Sequence, residues 1–315
     1  MKKLVVISGA TATGKTSISI EIAKNLSNSC IVNFDSLLFY NELNIGTAKP
    51  TVDEMCGIEH HMIGHVSAKS PINAAEYIKQ ATPLINELLS KDKQVILVGG
   101  SGFYLRALLH GMYSSGDTPD EIQQKSDELY HAEGIDPFIK ELTVVDPEIM
   151  QELHQNDHYR IRRALEHYWS TGVKFSKSKE KLELKKSHRN YAHNWHIHHI
   201  HLDIPKAEHW PIMKERVEQM LAQGLIAEVN NLLQNGFSGE EKPLKSIGYK
   251  EVIDFIKGQI TSEEELIERI FINTRRLAKS QRTWFNKVEN KFTFHTLNNR
   301  QQIIESVLSF FNSDT

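Results

Sequence analysis

Leu4-Val5-Val6-Ile7-Ser8-Gly9-Ala10-Thr11-Ala12-Thr13-Gly14-Lys15-Thr16 is the stretch from which the fold is read. Leu4 to Ser8 is an apolar run of strand length that ends directly in a glycine. Gly9 to Thr16 fits the pattern G-x-x-x-x-G-K-[ST], and Ser17 to Asn25 continues as a helix-like pattern. The motif therefore lies in the strand–loop–helix context it needs. Glycines let the backbone curl so that successive N–H groups point at phosphate oxygens, and the helix N-terminus adds its partial positive charge. Lys15 supplies a full charge, and the Thr16 hydroxyl can ligate Mg²⁺. A chance match somewhere in a chain of average composition has odds of about one in a hundred. A phosphate or pyrophosphate is accordingly expected on Gly9, Ala10, Thr11, Ala12, Thr13, Gly14, Lys15 and Thr16. The motif leaves the phosphate compound open, because kinases, NTPases and other transferases share it.

Further strands are expected at Ile31 to Phe34 and Gln94 to Val98, the latter ending in Gly99-Gly100, with a helix near Asn73 to Leu89. Alternating strands and helices with glycine-rich strand ends predict a parallel sheet covered on both faces. From about Tyr113 to Asn190 the pattern turns polar, helical and strand-poor, and Pro119-Asp120-Glu121 reads as a helix start. His196 to Ile204 is one more strand, with Ile200, Leu202 and Ile204 alternating against a polar face of His199, His201 and Asp203. Pro211 to Leu233 reads as one amphipathic helix ending near Asn235-Gly236. Ser262-x-x-Glu265 reads as a capping box opening the last long helix. The expected architecture is a P-loop NTPase-like α/β core with a parallel sheet, formed by 1–112 and 195–315. A helical insertion domain, 113–194, interrupts it.

Composition narrows the class. The chain has 315 residues, with 40% hydrophobic and 24% charged content, values usual for globular proteins rather than disordered ones. No apolar run is long enough for a membrane span, and the N-terminal apolar stretch is too short for a signal peptide. Cys30 and Cys56 alone offer no disulfide framework, which suits a reducing cytoplasm. The net charge of −3 means that any polyanion is held by local basic patches rather than by a global field.

Asp35-Ser36-Leu37-Leu38-Phe39-Tyr40 follows the second expected strand. An acid there points into the crevice where ligands of open α/β sheets sit. It could hold Mg²⁺ or take a hydroxyl proton in a kinase, act as general base in a transferase, or simply cap a helix. With the P-loop and Ile45-Gly46-Thr47-Ala48-Lys49-Pro50, this segment resembles tRNA dimethylallyltransferases in order and spacing. Val98-Gly99-Gly100-Ser101-Gly102-Phe103-Tyr104, Asn156-Asp157…Arg160…Arg162-Arg163-Ala164-Leu165-Glu166, Ile247-Gly248-Tyr249-Lys250-Glu251 and Thr274-Arg275…Ala278-Lys279…Gln281…Thr283-Trp284-Phe285 extend the resemblance over nearly the whole chain.

The resemblance implies transfer of a dimethylallyl group from dimethylallyl diphosphate to the exocyclic amine of the adenosine 3′ to the anticodon, with Mg²⁺ required. The P-loop would then clamp diphosphate, with Arg216 as a second cation on it. Asp35 would take the amine proton and Ser101 would assist it. The tRNA anticodon loop would meet Asp35, Ser36, Leu37 and Leu38, then His158, Tyr159, Arg160, Ile161, Arg162 and Arg163, and finally Arg275 and Lys279. The chain departs from the family pattern at Gly64, Gln123 and Ser280. The expected state is a cytoplasmic monomer without a membrane partner. The rival readings are an isopentenyltransferase acting on AMP and a small-molecule P-loop kinase. Lys174 to Arg189 is a basic segment, either near tRNA or simply solvated. His188, His193, His196, His198, His199 and His201 lack the ligand spacing of a zinc site.

Overall fold

The computed structural model describes residues 2–111, 118–186 and 194–313. Its elements are β1 (Lys2–Gly9), α1 (Lys15–Lys24), β2 (Ser29–Asn33), α2 (Val52–Met55), β3 (Glu59–His61), α3 (Ala74–Ser90), β4 (Gln94–Gly99) and α4 (Gly102–His110). Helices α5 (Asp120–Glu133), α6 (Asp136–Val145), α7 (Pro147–Glu152), α8 (His158–Thr171) and α9 (Phe175–Lys186) follow. The chain then continues through β5 (Trp195–Asp203), α10 (Lys206–Ala222), α11 (Leu225–Gln234), α12 (Tyr249–Ile256), α13 (Glu263–Phe285), β6 (Phe292–His295) and α14 (Arg300–Asn312). Two compact units result, Met1–Leu108 with His193–Thr315, and Leu109–Ala192.

The larger unit is built on one sheet of order β3-β2-β4-β1-β5-β6, and every neighbouring pair is parallel. Parallel strands are reached by crossovers that lay helices on the faces, so central strands are buried on both sides. Leu4, Val5, Val6 and Ile7 are all fully buried, each contributing about 1.5–3 kcal/mol of hydrophobic transfer. One face packs Val5, Ile7, Ile96 and Ile200 against Ile18 and Ile22 of α1 and Ile303 and Val307 of α14. A second cluster joins Tyr40 and Leu43 to Val217, Val229, Tyr249, Leu266 and Ile270 from α10 to α13.

Several elements differ from expectation for identifiable reasons. The polar face assigned to β5 is buried, with His199 5% and His201 2% exposed. Both bond the buried Ser8 hydroxyl, through Nε2 at 2.7 Å and Nδ1 at 3.0 Å. Burial pushes their pKa values down to about 3 and about 4, which leaves them neutral. The single helix expected over Pro211 to Leu233 is two, because Gly224 turns the chain at φ 100° between α10 and α11. Pro211 lies inside α10 rather than at its start. The box at Ser262 is half formed. Ser262 accepts from the Glu265 N–H, but the Glu265 carboxylate bonds the N–H and hydroxyl of Thr261. The edge strands β3 and β6 were not legible, being only 3 and 4 residues long.

The helical unit has its own core of Phe138, Leu142, Ile149, Ile161, Ala164 and Leu165. Buried Asp146 caps α7 and also accepts from the Ser176 N–H at 2.8 Å, tying α9 to it. Glu166 is 3% exposed, and it accepts from Ser126 and pairs with Arg163.

At the start of α4, Gly102 meets α13 at very short range. A Cβ there would lie 2.1 Å from the Trp284 ring. Alanine gains at most about 1 kcal/mol of helix propensity over glycine, whereas overpacking against a rigid ring costs about 1–3 kcal/mol. Gly102→Ala is therefore expected to lower Tm by several degrees, read by thermal denaturation.

Candidate active site

Strands β1, β2 and β4 deliver their carboxyl ends to one edge of the sheet, around a cavity of about 290 Å³. Its lining includes Gly14, Lys15 and Thr16 from the phosphate loop, Asp35 and Leu38 after β2, Gly99 at the end of β4, and Arg216 from α10.

The loop between β1 and α1 is wound as a phosphate cradle. Ala12 has φ 58° and Gly14 φ 80°, left-handed conformations that cost a non-glycine residue roughly 1–2 kcal/mol. Gly9 has no room for a side chain, since a Cβ would lie 2.6 Å from the Leu202 carbonyl. Lys15 Nζ donates to the Ala10 carbonyl at 2.7 Å, beside the Thr13 hydroxyl at 2.8 Å. Burial lowers the Lys15 pKa to about 8, with Asp35 opposing the shift and Arg216 adding to it. Burial likewise lowers the pKa of Arg216, again opposed by Asp35. Two cations thus stand under desolvation opposite one carboxylate, an arrangement that favours an incoming polyanion.

Asp35 begins no helix. Its Oδ1 accepts from the Leu37 N–H and its Oδ2 from the Gly100 N–H, both at 3.3 Å. These contacts are long, and each oxygen keeps a lone pair for another donor. Ser101 Oγ accepts from the Ser36 N–H at 3.1 Å and donates to Ser36 Oγ at 3.2 Å. Asp35, Ser36 and Ser101 therefore form one polar cluster where the ends of β2 and β4 meet. Leu38 lines the cavity, whereas Leu37 packs against the core.

Thr47, Ala48 and Pro50 also line the cavity, and Glu228 positions their loop. Its carboxylate accepts from the N–H groups of Asn44 at 3.2 Å, Ile45 at 2.9 Å and Gly46 at 3.4 Å, and from the Tyr249 hydroxyl at 2.6 Å. Sequence reasoning missed Glu228 altogether, as a glutamate in a helix carries no local signal. His209 and Arg282 were also missed as site supports, and Gln281 was noticed only within a motif.

Thr16 and Asp35 share the cavity. No group of three His, Cys, Asp or Glu that could hold a metal occurs among the described residues. The Thr16 hydroxyl fits Mg²⁺, which keeps waters and takes further oxygens from a substrate phosphate rather than from an all-protein cage.

The cations expected to meet nucleic acid fall into distinct environments. On α8, Tyr159 is 74% exposed, and Arg160 is exposed while paired to Asp157. His158 accepts or donates with the Tyr130 hydroxyl at 2.9 Å. Ile161 is fully buried, so its expected contact is corrected to a core role. Arg162 is half-buried and engaged within the helical unit. Its guanidinium bonds Ser126 and Asp127 and lies 4.7 Å over the Tyr130 ring. Arg163 is held by Thr118 and Glu166 but remains part-exposed. On α13, Arg275 stacks 3.6 Å over Trp210, and Lys279 is exposed. Phe285 is core, and Trp284 packs on Gly102. His188, Arg189, His193 and the side chains of Lys181, Lys185 and Lys186 lie outside the described residues. Among the described residues no helix is long and apolar enough to cross a membrane.

A parallel α/β sheet whose first strand ends in a phosphate loop, with a carboxylate and a second, half-buried cation across the cavity, defines a P-loop phosphate-binding protein. The chain belongs to the IPP transferase family, whose model matches residues 38–288. It is 38% identical over 288 residues to tRNA dimethylallyltransferase 2 of Geotalea uraniireducens, covering 90% of this chain and 89% of that one. It is 37% identical to tRNA dimethylallyltransferase 1 of Pelobacter propionicus, covering 91% and 90%. The crystal structure of tRNA isopentenylpyrophosphate transferase from Bacillus halodurans aligns with TM-score 0.69 at 30% identity, over 98% of this chain and 97% of that one. A eukaryotic dimethylallyltransferase captured acting on tRNA aligns with TM-score 0.82 at 25% identity, over 99% and 80%.

Lys15 sets a pH limit on this site. With its pKa lowered to about 8, the free protein loses the loop's positive charge as pH rises through that value. The kcat/KM for a diphosphate substrate, which reports the free enzyme, is expected to fall above about pH 8. The stability contribution has the opposite slope. Between about pH 8 and the unfolded value near 10.4, the unfolded chain binds more protons, so this group adds stability as pH rises. A pH profile of kcat/KM that stays flat to pH 9.5 would contradict the assignment.

Proposed function

We propose that this chain transfers the dimethylallyl group of dimethylallyl diphosphate to the exocyclic amine of the adenosine 3′ to the anticodon of tRNA. The observation that carries this reading is Asp35 sharing one cavity with Lys15, Thr16 and Arg216. A base and a set of diphosphate-binding groups are what an allylic substitution by an amine requires. The relatives named tRNA dimethylallyltransferase, and the solved enzyme acting on tRNA, support the acceptor class.

In this reaction the amine lone pair forms the new C–N bond to the first allylic carbon. The C–O bond to diphosphate breaks, and its electron pair leaves with diphosphate. The transition state gains negative charge on the leaving oxygens, so preorganised cations there are the largest expected contribution. Lys15, Arg216 and the N-terminus of α1 supply them. Mg²⁺, held by the Thr16 hydroxyl and the diphosphate itself, would add neutralising charge to the same leaving group. Asp35 takes the amine proton through a free lone pair, while Ser101 and Ser36 hold polar atoms beside the acceptor. The exposed Tyr159, Arg160 and Lys279, with the half-exposed Arg275 stacked on Trp210, are the groups available to tRNA in this reading, which the chain carries out as a cytoplasmic monomer.

Incubation with radiolabelled dimethylallyl diphosphate, Mg²⁺ and either tRNA or AMP tests the function. Label in tRNA is the expected outcome. Label in AMP alone would assign the chain to adenylate modification, and ATP turnover without prenyl transfer would make it a kinase. Asp35→Asn keeps the shape and loses the basic lone pair. Its single-turnover rate is expected to drop about 10²–10⁴-fold. Because Asp35 caps no helix, Tm should stay near that of the wild-type chain. Near-wild-type turnover would remove Asp35 as the proton acceptor.

A further inference from the structure

Both polar backbone atoms of Thr11, in the middle of the phosphate loop, are held by side chains from outside the loop. The Thr11 N–H donates to Gln281 Oε1 at 2.8 Å, and the Thr11 carbonyl lies 2.9 Å from His209 Nε2. The two grips trace to neighbouring residues of α13. Gln281 acts directly, and Arg282 acts through His209, donating to its Nδ1 at 2.6 Å while bonding Asp203 at 2.9 Å and the Ile204 carbonyl at 2.8 Å. A guanidinium only donates, so Nδ1 is the unprotonated nitrogen and Nε2 carries the hydrogen given to Thr11. Burial, followed by the Arg282 charge, lowers the His209 pKa and keeps that neutral form.

Gln281 reaches further than the loop. Its Nε2 donates to the Gly100 carbonyl at 3.1 Å, and the Gly100 N–H in turn points to Asp35 Oδ2. The fit is close, because a Cβ on Gly100 would lie 2.6 Å from that nitrogen. One amide group therefore spans the interval between the phosphate loop and the residue that touches the base. The order of groups matters. Thr11 offers a donor, and the Gly100 carbonyl, which also accepts from the Gly102 N–H at 3.2 Å, takes a second one; a primary amide meets both where a carboxylate meets only the first. The N–H of Thr11 is spent on this bridge, so a bound phosphate is left to the other loop amides.

We propose that Gln281 is a positioning residue that fixes the phosphate loop against the end of β4, and so sets the leaving diphosphate relative to Asp35. The proposal rests on the transferase reading. A misplacement of about 1 Å between reacting groups is enough to cost roughly 10²-fold in rate.

The test uses Gln281→Met, which keeps the length and removes both polar atoms, and Gln281→Glu, which keeps the acceptor and removes the donor. Amide hydrogen exchange over residues 9–16, single-turnover transfer to tRNA, and the KM values for donor and tRNA are measured in the full chain. The expected result is faster exchange of the loop, most marked in the Met variant. The transfer rate should fall about 10–100-fold, with tRNA KM within about twofold of wild type. A residue that merely stabilises the fold would lower Tm and leave single-turnover rates intact below the transition. Exchange or transfer rates within twofold of wild type in the folded variants overturn the proposal. If one variant fails to fold, the other decides. A wild-type chain that transfers nothing refutes the reaction by itself, and loop exchange then decides whether the bridge holds the loop.

Discussion

All six strands run in the same direction, and the register of β1 against its two neighbours determines where chemistry can occur. Ser8 pairs with Gly99 and Gly9 with Leu202, so the phosphate loop leaves β1 beside the glycines that end β4. Asn33 pairs with Val98, which brings Asp35, two residues further on, against Gly100. A one-residue slip in either pairing would turn every side chain to the other face and separate Asp35 from the loop. The close contacts at Gly9, Gly99 and Gly100 are the steric side of this constraint. Each would place a Cβ within 2.6 Å of a neighbouring atom.

The cavity stores an electrostatic imbalance. Lys15 and Arg216 face a single carboxylate, Asp35, and burial disfavours the charge on both cations. Burying an uncompensated charge is costly, and an incoming polyanion would relieve that cost. The supports around the cavity are of a different kind. Glu228 gathers the N–H groups of the Asn44 to Gly46 turn, and His209 and Gln281 hold Thr11 from either side. Their work is to keep the loops in place before any ligand is bound, which lowers the reorganisation the reaction requires.

The helical unit shows why a run of cations is not yet a binding face. Arg160, Arg162 and Arg163 are close in sequence, yet Arg162 is consumed by Ser126 and Asp127, and Arg163 is shared with Glu166. Glu166 is itself buried, so those arginines are what makes its burial tolerable. Tyr159 and Arg160 remain on the outside. With a net charge of −3, the chain's affinity for a polyanion comes from such local groups.

Sequence alone determined the parallel α/β core, the phosphate loop at Gly9 to Thr16 and the place of Asp35 at a strand end. These features are written in local spacing: an apolar run ending in glycine, a fixed motif, an acid just after a strand. The ordered blocks from Ile45 to Phe285 carried the family in the same way. What sequence misread were features fixed by neighbours distant in the chain. His199 and His201 alternate like a polar face, yet β5 is paired on both sides and covered above and below, so they became core residues bonded to Ser8. Ile161 and Arg162 lie in a motif that reads as a surface, and helix packing took them inward. Only the tertiary structure decided that Gln281, His209 and Glu228 serve the site. Their partners are 270, 198 and about 180 residues away along the chain, and no local pattern encodes a hydrogen bond made across such a separation.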